Sequence, residues 1–427
     1  MNISGKEIYR LCEELFPINR SLTGDGVRET LTIIQKELKD LKIYEIPTGT
    51  KCFDWTVPNE WNIKRAFIID PDGKKVIDFM ENNLHVVSYS IPIDTTMSLE
   101  ELDKHLYSLP EQPDAIPYVT SYYKESWGFC LTHNQRKNLK KGTYKVLIDS
   151  RLEKGNLSYG ELIINEGCKE EIFLSTYVCH PSMANNELSG PAITTYIAKN
   201  LLSMKDKRFT YRIIFIPETI GSIVYLSKNL EDMREKIIAG FNITCVGDNN
   251  SFSFLPSRNQ NTLADRVAIH ALEYSNLEYQ KYSFLDRGSD ERQYCSPGVD
   301  LPVCSVMRSK YGTYKEYHTS LDNLDFISAE GLYGAYKIYK KMIEILETNK
   351  IYKCNNLCEP QLGKRGLYPN LGTLETKDLV WNMMNFLAYC DGEIDLLSIA
   401  DKIEFPIWEL QKIVDSLIDQ EVISVNK

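Results

Sequence analysis

Continuous apolar, β-branched runs separated by longer mixed stretches dominate residues 141–347 of this chain. Residues 173–180 (FLSTYVCH), 211–216 (YRIIFI) and 237–246 (IIAGFNITCV) carry too few polar breaks for a half-exposed sheet and read as buried strands. Between them, 188–204 and 220–236 show helical patterns of a length that suits crossovers between parallel strands. YKVLIDS and GELIINEG extend the same texture back to about residue 141. Residues 42–94 differ: short alternating strands separated by turn signals resume at 118–131 and describe a small β domain. Residues 1–40 read as helix, loop and helix, with Thr23, Gly24 and Asp25 placed as a helix start prefers. From about residue 353 come helical patterns at 377–390, 395–402 and 406–420, then a terminal strand, VISV. The pattern predicts an α/β fold: a mostly parallel sheet flanked by helices (1–40 and 132–350), an inserted β domain (41–131) and a C-terminal winged helix-turn-helix (351–427).

Composition narrows the function classes. At 427 residues, 43% hydrophobic and 25% charged, the chain suits several soluble domains. A net charge of -10 argues against nucleic acid as the main partner, because phosphate binding draws on excess Lys and Arg. The winged segment points the same way: residues 371–427 hold four Lys and no Arg against eleven Asp and Glu, which favours a packing or oligomerisation module over DNA reading. No run reaches the ~20 apolar residues of a spanning helix, so no membrane partner is expected. Eleven scattered cysteines fit reduced thiols in a cytoplasmic chain.

The chemistry gathers at the strand ends. The first buried run closes on His180, and Glu187 follows a tight loop. The second is followed by Glu218 and the third by Asp248. His318 follows a further apolar run, 301–306. In an open α/β sheet, ligands bind outside the carboxyl ends of the strands. Two histidines with carboxylates on one sheet edge form a donor set suited to zinc, with one carboxylate left over as general base. A single histidine at a strand end is more often a hydrogen-bonded loop residue; the coincidence of four positions favours the metal reading. Trp55, Trp61, Tyr118, Tyr122, Tyr123 and Trp127 either line a substrate groove or form the core and rim of the small β domain, the second reading being the stronger.

At LFPINRSLTGDGVRETL, CHPSMANNELSGP, IPETIGS, Asp248, SDERQYCSPG and YHTSLDN the chain resembles the zinc aminopeptidases of the bacterial leucyl aminopeptidase type. More closely, and over its full length, it is similar to a bacterial aminopeptidase-like family with an inserted β domain and a C-terminal winged helix, associated with polysaccharide biosynthesis. The resemblance implies a zinc-peptidase-like fold and a metallopeptidase-type hydrolase cleaving an amide bond next to a free amine of a small-molecule or peptide substrate. It makes His180, Asp248 and His318 metal ligands and Glu218 the general base. Asn186 stands where the bridging Asp of those enzymes is expected, with Glu187 one place later, and Thr219 replaces the second Glu of a pair. One zinc per chain is therefore expected rather than two, held by His180, Asp248 and either Glu187 or His318. Asp290 and Glu291 either hold a free α-amine or are solvated loop charges; Arg287 and Arg292 either pair a substrate carboxylate or neutralise those acids. A silent glycan- or peptide-binding protein and an amidase or deacylase of amino-sugar amides are the alternatives, and self-association is left open.

Overall fold

In this computed structural model, which describes residues 3–367 and 374–426, the apolar runs assemble into an eight-stranded sheet. Its strands are β1 (Lys42–Pro47), β2 (Asn156–Ile164), β3 (Glu171–Tyr177), β4 (Thr210–Ile216), β5 (Ile237–Asn242), β6 (Phe252–Leu255), β7 (Tyr279–Lys281) and β8 (Val303–Met307), in the spatial order β1-β2-β4-β3-β5-β8-β6-β7. The central strands β4, β3, β5 and β8 run parallel. Every residue of β3 and β4 is buried, which is why their sequences lack polar alternation. Four helices matter for the site: α1 (Gly5–Leu15), α2 (Asp25–Glu37), α3 (Ser189–Ser203) and α4 (Ile220–Lys236). α3 connects β3 to β4, and α4 connects β4 to β5, as the pattern predicts. α1 starts on a Ser4–Glu7 capping box, whereas Gly24 precedes α2 at φ 98, where a Cβ would meet the Trp61 carbonyl oxygen at 2.3 Å.

Two expectations need correction. β2, expected in the parallel run, is antiparallel to both β1 and β4. The limits 41 and 131 of the inserted domain also fail to follow the sheets. β1 belongs to the main sheet, while Thr143–Glu153 pairs with Glu60–Ile69 and Ile93–Ser98 in a separate four-stranded sheet. The physical reason is visible in its burial, which alternates exposed and buried from Thr143 to Val146 as in a sheet with one wet face.

The fold forms two compact units, residues 1–264 with 279–336, and residues 265–278 with 337–427. The second contains helices Leu374–Ala388, Leu396–Lys402 and Ile407–Asp419 and a three-stranded sheet of Asp391–Asp395, Ile351–Cys354 and Ile423–Val425. No helix among the described residues is long and apolar enough to cross a membrane. Asp395 caps Leu396–Lys402 by accepting from the Ser398 N–H at 2.8 Å, and also accepts from Arg266 at 3.0 Å and Asn349 at 3.0 Å. Burial alone would raise its pKa, but these donors hold it down at about 2. A depressed folded-state pKa contributes stability that is present above the unfolded value near 4 and lost as pH falls toward 2. Asp395→Ala is expected to cost about 1–2 kcal/mol at neutral pH, and thermal unfolding should show the gap from wild type closing between pH 4 and 2.

Candidate active site

His180 lies three residues beyond β3, Glu218 two residues beyond β4, and His318 in the loop after β8. All three line one cavity of about 300 Å3, together with Cys179, Thr219 and Arg292. Trp55, Tyr118, Tyr122 and Tyr123, from the inserted segment, form its other wall. The six aromatic candidates thus divide: these four face the cavity, while Trp61 is 2% exposed and Trp127 packs on the small core and stacks on His105.

His180 sits between two carboxylates. Its Nδ1 is 2.9 Å from Glu187 Oε2 and its Nε2 is 3.7 Å from Glu218 Oε2. Glu187 lies on a π-helical turn, Ala184–Leu188, closed by the Leu188 N–H donating to Met183 O at 3.1 Å. Asp322 fastens this turn: its carboxylate accepts from the N–H groups of Asn185 and Asn186 at 2.6 and 3.0 Å, and its carbonyl from Ala184. Arg20, with no exposed surface, approaches Glu187 Oε1 to 3.5 Å and donates to the carbonyls of His180 and Leu15 at 2.9 and 2.8 Å. Its charge thus faces Glu187 Oε1, while Oε2 is the oxygen that meets His180 Nδ1.

His318 adopts φ 56, and its carbonyl accepts from the Tyr118 N–H at 2.8 Å. Its ring stacks on Tyr317 and lies 5.5 Å from that of His180, while its buried Nε2 has no hydrogen-bond partner. Burial first, then the nearby His180, push its pKa down to about 3, so the ring is neutral at physiological pH with a lone pair to offer. Burial likewise raises the pKa of Glu218, opposed by His180. Next to it, Thr219 is held at φ 64, a strained backbone for a β-branched residue. Its N–H donates to Asp290 at 2.7 Å, and its hydroxyl accepts from Arg292 at 2.6 Å.

Other expected site residues lie elsewhere. β5 ends at Asn242, so Asp248 stands six residues beyond it and does not line the cavity. Its two oxygens accept from Asn185, Asn250 and Ser309, which makes it a loop anchor. Thr244 is the residue that meets the first-histidine turn from this side, donating to Asn186 O at 3.1 Å. Asp290 and Glu291 have no exposed surface, contrary to either reading of them as amine-holding or solvated acids. Asp290 accepts from Thr219 and Ser222, and Glu291 from Gly288, Ser289, Tyr311 and Asn242. Asn186 is buried on Tyr177 away from the cavity, and Arg287 lies over the Phe284 ring. Arg292 alone of the expected substrate contacts lines the cavity.

By donor type alone, these residues suit one divalent ion better than two. Two imidazoles, one with an unpartnered buried nitrogen, and the Glu187 carboxylate suit zinc, whereas Asn186, Thr219 and Thr244 supply no further carboxylate for a second. Among the described residues Cys179, His180 and Glu187 place potential ligand atoms within 4.8 Å of one another, and His318 stands outside that group. Arg20, Asp322 and Thr244 were not expected; Arg20 and Asp322 sit inside the two loops singled out for resemblance, LFPINRSLTGDG and YHTSLDN, where an arginine amid apolar residues was the available signal.

A family described as Domain of unknown function (DUF4910) matches residues 9–349, and a winged helix-turn-helix family matches 350–425. The chain is 47% identical over 428 residues to a Clostridium acetobutylicum protein provisionally named as a polysaccharide biosynthesis protein with aminopeptidase-like domain, covering 99% of this chain and 97% of that one. A crystal structure from Clostridium acetobutylicum, provisionally described as a peptidase, superposes with a TM-score of 0.93 at 46% identity, covering 99% of this chain and 96% of that one. BSAP, a zinc aminopeptidase from Bacillus subtilis, matches with a TM-score of 0.58 at 13% identity, covering 81% and 95%, a likeness of fold alone.

Proposed function

We propose a zinc-dependent amide hydrolase for this chain, which belongs to the family described as Domain of unknown function (DUF4910) and has an aminopeptidase-like fold with a C-terminal winged helix. The observation that carries the reading is the meeting of His180, Glu218 and His318 at one cavity, with the buried Nε2 of His318 unpartnered. His180 and His318 would hold the ion on the cavity side, with Glu187 fixing the His180 ring through Nδ1. Bound zinc would polarise the scissile carbonyl and make water more acidic. Glu218, less acidic through burial, takes the proton from the attacking water and passes it to the leaving nitrogen. Arg20 and Asp322 keep the Glu187 turn in place. The name of the Clostridium acetobutylicum relative supports a setting in polysaccharide biosynthesis, and the scattered cysteines support a cytoplasmic one.

Metal content tests this. Protein purified without chelator is expected to carry about one zinc per chain by mass spectrometry, lost in His180→Ala and His318→Ala and kept in Asp248→Asn. Wild type that stays metal-free when zinc is offered would overturn the hydrolase and leave a glycan- or peptide-binding protein.

A further inference from the structure

We infer that the cavity selects a substrate bearing an anionic group and no free amine, an N-acyl amino sugar with a carboxylate or phosphate, which Arg292 binds. The inference rests on the hydrolase reading only for the fate of the bound molecule. An aminopeptidase must offer carboxylate oxygen to an ammonium group. The two acids expected to do so are buried and do not line the cavity: Glu291 accepts four hydrogen bonds, and Asp290 holds the Thr219 N–H and the Ser222 hydroxyl on Oδ1, its Oδ2 being buried without a partner. Turning Asp290 away would strand the buried Thr219 N–H beside a strained residue. Glu218 is the one carboxylate among the lining residues, and it is engaged beside His180.

Arg292 is in the opposite condition. Its side chain is exposed on the cavity, it donates once, to Thr219 Oγ1, and among the described residues no carboxylate lies within 4.0 Å of it. A guanidinium has five N–H donors in a planar fork, so several remain for a bidentate anion. Across the cavity the surface is aromatic. Tyr118 and Tyr122 join through their hydroxyls at 2.5 Å, and Tyr123, 64% exposed, packs edge-on with Trp55 at 5.7 Å. Flat, amphipathic rings of this kind pack against the C–H face of a pyranose and hydrogen-bond its rim. An anion-binding fork, an aromatic surface and the reactive carboxylate lining one cavity suit an acidic acyl amino sugar.

Titration calorimetry with four related sugars tests this without relying on turnover: N-acetylmuramic acid, N-acetylglucosamine 6-phosphate, neutral N-acetylglucosamine and cationic glucosamine. At least one anionic sugar is expected to bind tenfold or more tightly than the neutral one, and glucosamine not at all. Which anion wins separates carboxylate from phosphate recognition. In Arg292→Ala the anionic preference over the neutral sugar should fall to about twofold or less. If Arg292 serves only to tune Glu218, the preference survives the substitution and the inference fails. Binding of glucosamine as tight as that of the anions, or no binding of either anion, overturns it too. A protein that shows the anionic preference but holds no zinc would keep this inference and lose the hydrolase.

Discussion

Glu218→Gln is expected to lower turnover by about 10²–10⁴-fold, the range a positioned general base supplies, while leaving the fold and metal content intact. The substitution keeps the shape of the side chain and the backbone N–H that donates to Cys179 Sγ at 3.2 Å. Burial already disfavours the charged form of Glu218, so a neutral amide does not strand a desolvated charge, and the unfolding temperature should change little. What the amide cannot do is accept a proton. Glu218→Asp, with the carboxylate withdrawn by one methylene, should fall between the two. The measurement is kcat on whichever N-acyl substrate wild type cleaves, taken beside zinc content; wild-type turnover in the Gln variant would remove Glu218 from the mechanism.

The parts of this site legible in the sequence are those set by local punctuation. β3, β4 and α4 announce themselves because a strand buried on both faces has no polar alternation and a loop must follow it; His180 and Glu218 come with them. Asp248 falls outside the cavity because the strand to which the same rule applies stops early. β5 ends at Asn242, and the chain bends through Cys245 at φ 52 before reaching the aspartate. Asp290 and Glu291 show a different limit. In sequence a carboxylate looks solvated, and only the fold shows which N–H groups and hydroxyls it must satisfy. The aromatic residues make the same point, since Trp61 and Trp55 are alike in composition but one closes a core and the other faces a cavity. The domain limits slipped because β1 and Thr143–Glu153 exchange sheets, a pairing choice made by residues far apart in the chain.

Arg20→Met is expected to destabilise the metal-free protein by about 3–5 kcal/mol, the cost of leaving one member of a buried ion pair without its partner. Neither Arg20 nor Glu187 has exposed side-chain surface, so no solvent screens the charge left behind. The methionine fills much of the arginine volume, which keeps the loss electrostatic, but it also releases the carbonyls of His180 and Leu15. Combining it with Glu187→Gln removes the orphaned charge and should restore part of the loss, giving a coupling energy in a double-mutant cycle. Arg20→Lys should remain destabilising, because a single ammonium cannot reach in the several directions that the guanidinium covers. Denaturant unfolding of chelator-treated protein supplies the numbers. A loss below about 1 kcal/mol in Arg20→Met would mean that the N-terminal loop merely covers the site; a loss in the expected range makes that loop the element which holds Glu187 against His180 before any metal binds.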